Sequence, residues 1–220
     1  MKILAKIISI LFHPLFGFPY TFLMLLCLKP HWFSIRHFSE AGMLLILVVI
    51  YTCIIPMIAI GMMKFVGLIK SFELSEKTER ILPLIVCLIF YLWMYINMKQ
   101  DTSLPPAFLA LLLSCIIAIS LAFVINNWIK ISLHALVMGA ILAFWLKIRF
   151  GDSTSTDHYF RFTEDVVSSF HLNHWLSIWL FLCGLVMSSR LILSAHNRTE
   201  IYLGFVTGIV AILLGFSHWN

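Results

Sequence analysis

Seven apolar runs, each long enough for a membrane-spanning helix, divide the chain. A spanning helix needs roughly 20 mostly apolar residues, and the pattern predicts helices at about 8–28, 42–65, 81–98, 106–125, 131–148, 175–193 and 201–216. Pro14 and Pro19 predict kinks in the first helix. Lys2 and Lys6 precede this run as in a signal peptide, but no small-residue cleavage site follows, so we expect an anchor that stays in place.

The polar segments between these runs are short. Residues 29–40 are expected at the membrane interface, residues 66–80 form a polar loop, and 101–105 form a turn. Residues 151–173 are the one long hydrophilic segment, which is too short for a soluble domain and is expected to fold against the membrane. The pattern therefore predicts an all-α fold, a polytopic transmembrane bundle of about six to seven spans, in a single integral membrane domain over 1–220.

Composition supports the membrane class. The chain is 61% hydrophobic and 11% charged, whereas soluble domains are about 25% charged. The net charge of +5 suits the anionic head groups of a lipid bilayer, and no basic patch interleaved with aromatics indicates nucleic acid. The cysteines lie inside apolar runs without paired spacing, so neither a disulfide framework nor a zinc site is indicated. Nothing in the sequence indicates an oligomeric state.

Three polar clusters are predicted to meet at one membrane face. The third span starts from the 66–80 loop and crosses the membrane, and the fourth span crosses back to the face of that loop. The fifth span crosses the membrane again, and the sixth returns to the same face. The clusters are Lys77 with Arg80, then Lys130, Ser132 and His134, and then Arg190, His196 and Glu200. One arginine side chain binds two phosphate oxygens at once, and lysine supplies a point charge, so the combined set is suited to a phosphate.

The histidines supply candidate reactive groups. His196 and Glu200 are four residues apart and are expected to share a face at the start of the seventh helix. A carboxylate in that position can fix the imidazole tautomer, and a second histidine, His134, can protonate a leaving oxygen. No carboxylate cluster able to hold magnesium accompanies them, so neither a metal nor another cofactor is expected.

These residues resemble the three signatures of the type 2 phosphatidic acid phosphatase family. Ser189-Arg190, His196 and Glu200 are spaced like its third signature, Ser-Arg-x5-His-x3-Asp, and Ile131-Ser132-Leu133-His134 is similar to its second, Pro-Ser-Gly-His. The segment from Lys77 to Pro83 looks like a compressed first signature, and Gly204 and Gly208 resemble the continuation of the third. The resemblance implies that family's fold, with a phosphatase-like core over about 66–216.

The resemblance also implies roles for individual residues. His196 would be the nucleophile that forms a phosphohistidine, Glu200 would orient it, and His134 would be the general acid. The phosphate would be held by Lys77, Arg80, Ser132 and Arg190. Lys130 lies outside the matched signature, and its phosphate role depends on proximity in sequence. The implied function is a metal-independent phosphatase acting on a membrane lipid phosphate or diphosphate of the phosphatidic acid, phosphatidylglycerol phosphate or prenyl diphosphate class.

Departures from the signatures leave two alternatives open. Glu200 replaces an Asp, and Leu133 replaces a Gly that lets backbone approach the phosphate. One alternative is therefore a catalytically inactive lipid-phosphate-binding or transport-type protein, and the other is a structural membrane anchor. In the latter, Arg190 would be an interfacial anchor and His134 a helix-packing hydrogen-bond donor.

The location is expected to be a bacterial-type inner membrane. Basic residues are more numerous at the face that carries the motifs, but the excess disappears when the four candidate cations Lys77, Arg80, Lys130 and Arg190 are left out. The orientation therefore stays open, and tags placed in the 101–105 and 151–173 segments would determine it. The remaining histidines, His13 among them, are expected at interfaces or in loops.

Overall fold

The computed structural model describes residues 1–35, 38–151, 157–163 and 166–217. Helices form most of this part of the chain, and two short strands interrupt them. The elements are α1 (Lys2–Leu11), α2 (Gly17–Leu28), α3 (Gly42–Val49), α4 (Ile55–Phe65), α5 (Ile81–Met98), α6 (Pro106–Asn126), α7 (Leu133–Gly151), β1 (Asp157–Thr163), β2 (Val166–His171), α8 (Leu172–Ile192) and α9 (Arg198–Phe216).

Within the described residues, seven segments are long and apolar enough to cross a membrane. They are Lys2–Leu28, Gly42–Phe65, Thr78–Met98, Pro106–Asn126, Leu133–Gly151, Asn173–Ile192 and Arg198–Phe216. The predicted spans are confirmed, with boundaries that differ by a few residues because helix ends depend on local capping. The protein is a multi-pass membrane protein with a helical bundle.

Of the two kinks predicted in the first span, one is present. The helix stops before Pro14, which begins a 3-10 turn over Pro14–Phe16, and His13 caps that turn by accepting a hydrogen bond from Leu15 N. Pro19 causes no break because it lies in the first turn of α2, where backbone N–H groups have no partner inside the helix. The break places His13 inside the membrane part of the bundle.

Helices α7 and α9 pack with their backbones in contact. A Cβ atom at Gly208 would overlap the Leu136 carbonyl oxygen, and one at Gly204 would lie 2.5 Å from the Ser132 carbonyl oxygen. Small residues allow this close approach between membrane helices. As a result, Ser132 N donates a hydrogen bond to Glu200 O at 3.1 Å, which joins the second and third motifs through their backbones.

The hydrophilic segment before α8 contains an antiparallel hairpin of β1 and β2, in which Asp157 is opposite His171. The hydrophobic pattern did not predict these strands. Both are rich in aromatic and β-branched residues, which favour extended backbone, but they lack the long apolar run that made the helices recognisable. The all-α prediction therefore describes the membrane-spanning bundle and not this hairpin.

We expect Gly208→Ala to destabilise the bundle, because the new methyl group would overlap backbone atoms that cannot rotate away. Overpacking of this kind costs about 1–3 kcal/mol, and thermal unfolding in detergent would measure it. Gly184→Ala on α8 is the matched control, since no atom lies within 4 Å of its Cβ position. Equal melting temperatures for the two variants would contradict the contact between α7 and α9.

Candidate active site

A cavity of about 690 Å³ lies inside the bundle. At one end its wall carries basic and imidazole side chains from four separate parts of the chain. They are Lys6, His13, Arg80, Lys130, His134, Arg190 and His196. Residues from all three motifs are therefore brought together, along with residues of the first span.

Arg80 is the most connected of these side chains. It is 4% exposed, its Nε donates to Leu74 O at 2.9 Å, and its Nη1 donates to Ile131 O at 2.7 Å. Its Nη2 lies 3.5 Å from His196 Nε2 and donates toward it. Carbonyl oxygens thus satisfy two of its N–H groups while a third is directed at the imidazole.

His196 and Glu200 meet through the N-terminal cap of α9. Asn197 is the N-cap residue, and its Oδ1 accepts a hydrogen bond from Glu200 N at 2.9 Å. The Glu200 carboxylate turns back, accepting from Asn197 N at 3.4 Å and from His196 Nδ1 at 2.7 Å. The predicted contact is present, but His196 precedes the helix instead of sharing its face, since the capping box sets the geometry.

These contacts assign the tautomer of His196. A carboxylate and a backbone carbonyl only accept hydrogen bonds, and a guanidinium only donates them. Nδ1 therefore carries the proton that Glu200 accepts, while Nε2 presents a lone pair toward Arg80 and the cavity. This is the tautomer that a histidine nucleophile requires.

The imidazole is uncharged at neutral pH. Burial lowers the pKa of His196 to about 4, and the positive charges of Arg80, Arg190 and Lys130 contribute in the same direction. The hydrogen bond to Glu200 opposes them without restoring the ordinary value. Burial, followed by the charge of Arg80, also lowers the pKa of Lys130. Burial, together with the nearby cations, thus keeps the Nε2 lone pair free of a proton.

Arg190 has an N–H group without a partner. It lies in the last turn of α8 and lines the cavity, and its buried Nε finds no hydrogen-bond acceptor within the part of the chain that the structure describes. A buried unsatisfied donor costs free energy. The Nε atom itself is closed off from the cavity space, so what Arg190 offers an anion there is the positive charge of its guanidinium group.

The other candidate phosphate ligands differ in position. Lys130 lines the cavity, and its Nζ donates to Ala195 O at 3.2 Å. Lys77 is exposed and donates to Trp128 O at 3.0 Å, outside the cavity wall. Ser132 is fully buried behind the wall, where its Oγ accepts a weak hydrogen bond of 3.5 Å from Ala135 N at the start of α7.

Two wall residues around the second motif bear on reactivity. Leu133, which stands where the family signature has Gly, lines the cavity with its side chain. His134 also lines it, and its Nε2 donates to Ser9 O at 3.0 Å, since a carbonyl can only accept. The Nδ1 atom of His134 is therefore the ring nitrogen left for other chemistry.

The first span supplies residues that sequence reasoning missed. His13 lies in the break between α1 and the 3-10 turn, in keeping with the loop position expected for it, but it also lines the cavity, with its ring centroid 5.7 Å from that of His134. Ser9 of α1 is buried, and its Oγ is hydrogen bonded to the Oγ of Ser189 in α8 at 3.2 Å. A histidine next to a proline inside an apolar run was the available signal, because polar groups at that depth are costly.

The loop over 66–77 covers the polar end of the cavity. The Glu79 carboxylate accepts hydrogen bonds from Lys70 N at 2.8 Å and Glu76 N at 3.2 Å. The neighbouring Arg80 holds Leu74 O. Glu79 thus binds backbone N–H groups of the loop, and Arg80 binds one of its backbone carbonyls. Phe72 and Glu73 of the loop line the cavity.

Comparison with known proteins adds no relative. No family model, curated protein or solved structure matches the chain. Among the described residues, no group of three His, Cys, Asp or Glu side chains is arranged to hold a metal ion.

We expect His196 to titrate near pH 4 in the unliganded protein, well below an ordinary histidine. Lys130→Met should raise its pKa by removing a positive charge, and Glu200→Gln should lower it by removing the opposing carboxylate. Because the unfolded chain binds the proton at a higher pH, this group should make the fold less stable as the pH falls from about 6.5 toward 4.

NMR of histidine-labelled protein in micelles would measure these shifts. His31, an exposed residue of the 3-10 turn Pro30–Phe33, provides an internal comparison. Titration of His196 at the pH of ordinary histidines, or shifts in the reverse direction in the two variants, would contradict the proposed electrostatics.

Proposed function

We propose that the protein is a phosphatase acting on a membrane lipid phosphate or diphosphate through a phosphohistidine intermediate. The observation that carries the proposal is the state of His196, whose Nε2 lone pair faces a cavity lined by cations while Glu200 holds Nδ1 at 2.7 Å. A nucleophile oriented by a carboxylate and surrounded by positive charge suits attack on a phosphate.

The cations would bind the phosphate before reaction. Arg190 and Lys130 both line the cavity, and their positive charges would attract the phosphate. Arg80 already donates to two carbonyls, so its remaining N–H groups would supply its share. Phosphoryl transfer depends mainly on such positioning and on stabilisation of developing charge.

The proposed reaction has two steps. His196 Nε2 attacks phosphorus, a P–N bond forms, and the P–O bond to the lipid alcohol breaks. His134 would give the leaving oxygen a proton from Nδ1, since its Nε2–H is bonded to Ser9 O. The negative charge of the bound phosphate favours the doubly protonated ring that this transfer needs. Water then attacks phosphorus and gives its proton to His134 Nδ1, and the P–N bond breaks, which returns phosphate, free His196 and the protonated His134.

A second candidate function is binding or transport of a lipid phosphate without hydrolysis. Leu133 favours it, because its side chain occupies the cavity wall where the family signature has glycine. The positions of Lys77 and Ser132 outside that wall also leave fewer groups on the phosphate. This candidate predicts that phosphorylated lipid binds and that no phosphohistidine forms.

We expect the purified protein to release phosphate from phosphatidic acid, phosphatidylglycerol phosphate or a prenyl diphosphate in the presence of chelator. His196→Ala should reduce the rate by at least about 10³-fold, because the nucleophile is lost. His31→Ala, an exposed histidine away from the cavity, is the matched control. Rapid alkaline quenching with labelled substrate should trap phosphate on His196 in the wild type, because the P–N bond of a phosphohistidine survives base and hydrolyses in acid. Binding without any release or trapped phosphate would favour the second candidate.

Replacement of single cations should lower kcat/KM much more for a residue that lines the cavity than for one that lies outside it. We expect Arg190→Ala to reduce kcat/KM by about 10²-fold or more, since a lost charge-assisted hydrogen bond costs several kcal/mol at a buried site. Lys77→Met should cause a much smaller loss, because its ammonium group is exposed and bonded to Trp128 O. Kinetics in nanodiscs would measure both, and equal losses would mean that Lys77 contacts the substrate.

A further inference from the structure

The cavity continues from its charged end deep into the membrane part of the bundle. Its wall follows α5 from Arg80 to Tyr91, about three helical turns or 16 Å along the axis. Beyond the cations the lining is predominantly apolar and comes from several helices. Representative residues are Leu84, Cys87, Leu111, Cys115, Ala118 and Ile141.

Aromatic side chains border the inner end of this apolar part. Phe18 and Tyr91 line the cavity there, with ring centroids 5.7 Å apart. Behind them lies Phe108, whose ring centroid is 5.9 Å from that of Phe18 and 5.0 Å from that of Phe22. Phe108 and Phe22 are fully buried. The cavity thus ends against a packed aromatic layer, which we call the floor, formed by Phe18 and Tyr91.

We infer that this apolar chamber binds the hydrocarbon chain of the lipid whose phosphate lies at the cations, and that the floor limits the length of that chain. The inference extends the proposed phosphate site. Charge at one end and apolar walls at the other fit an amphiphile, and apolar walls favour hydrocarbon over water. The depth of about 16 Å is close to one leaflet, half of the roughly 30 Å hydrocarbon core. A chain of one-leaflet length fits, whereas a long polyprenyl chain would meet the floor.

The alternative is a chain that stays in the bilayer against the outside of the bundle. On α5 the outward side chains Ile89, Leu92 and Trp93 are about half exposed, and they share the depth of Tyr91. Inward and outward binding therefore place the end of the chain on different residues of the same helix. Labelling at residue resolution separates them.

The first experiment uses an alkyl phosphonate with a diazirine at the end of its chain. This probe keeps the phosphate charge and cannot be hydrolysed, so it reports binding whether or not the protein is an enzyme. After irradiation in nanodiscs, tandem mass spectrometry should find the label on Tyr91, Leu111 or other chamber residues, and excess unlabelled phosphonate should remove it. Label confined to Ile89, Leu92 and Trp93 would overturn the inference.

The second experiment measures the affinity of water-soluble alkyl phosphonates of increasing chain length. Affinity should rise by up to roughly fourfold per methylene, the burial free energy of a CH₂ group, until the chain reaches the floor. Tyr91→Ala should move this limit to longer chains, and Tyr91→Phe, which keeps the ring, should leave it in place. Ala118→Phe, which fills the chamber, should move it to shorter chains.

The outcomes separate the chamber from the reaction. A length limit that moves in the Ala118→Phe variant supports the chamber even if no substrate releases phosphate, and that combination would reject only the phosphatase proposal. Phosphate release with the same length dependence in the wild type, Tyr91→Ala and Ala118→Phe would reject the chamber and keep the enzyme. If Tyr91→Ala does not fold, the Ala118→Phe variant and the photolabel still decide.

Discussion

The site depends on one buried guanidinium. Arg80 donates to a carbonyl 51 positions away in sequence and toward an imidazole 116 positions away, so one side chain links the start of α5, the segment before α7 and the segment before α9. A buried cation is costly unless its N–H groups find partners, and two carbonyl oxygens supply them here. Those bonds fix the guanidinium, and the fixed guanidinium in turn limits where His196 can lie.

Glu200 likewise makes contacts that serve two purposes. Its carboxylate caps α9 and holds His196 Nδ1, so the start of the helix and the orientation of the imidazole are set by one side chain. Burial, aided by the surrounding cations, keeps Nε2 of His196 unprotonated by lowering the pKa of the ring. Next to this charged region lies an apolar chamber enclosed by membrane helices. Together they form an amphiphilic site inside the bundle, with charge at one end and apolar walls at the other.

Much of the candidate site could be predicted from sequence, because motif spacing and crossing order are local properties. Counting spans brought Arg80, Lys130, Arg190 and His196 to one place, and the structure has all four in one wall. The direction of each side chain could not be predicted in this way. Lys77 points outward from the segment before α5, and Ser132 is buried where α7 packs closely against α9. His13 was missed because its position depends on how the broken first span docks.

The membrane class, the seven spans and the pairing of His196 with Glu200 follow from local features, because apolar run length, short spacings and the capping box of Asn197 and Glu200 act within a few turns of the chain. The packing of distant helices adds that the motifs share a wall with the first span and that an apolar chamber ends at Phe18 and Tyr91. The chamber is a product of distant helices that pack at fixed distances, and no single segment contains the information for its shape.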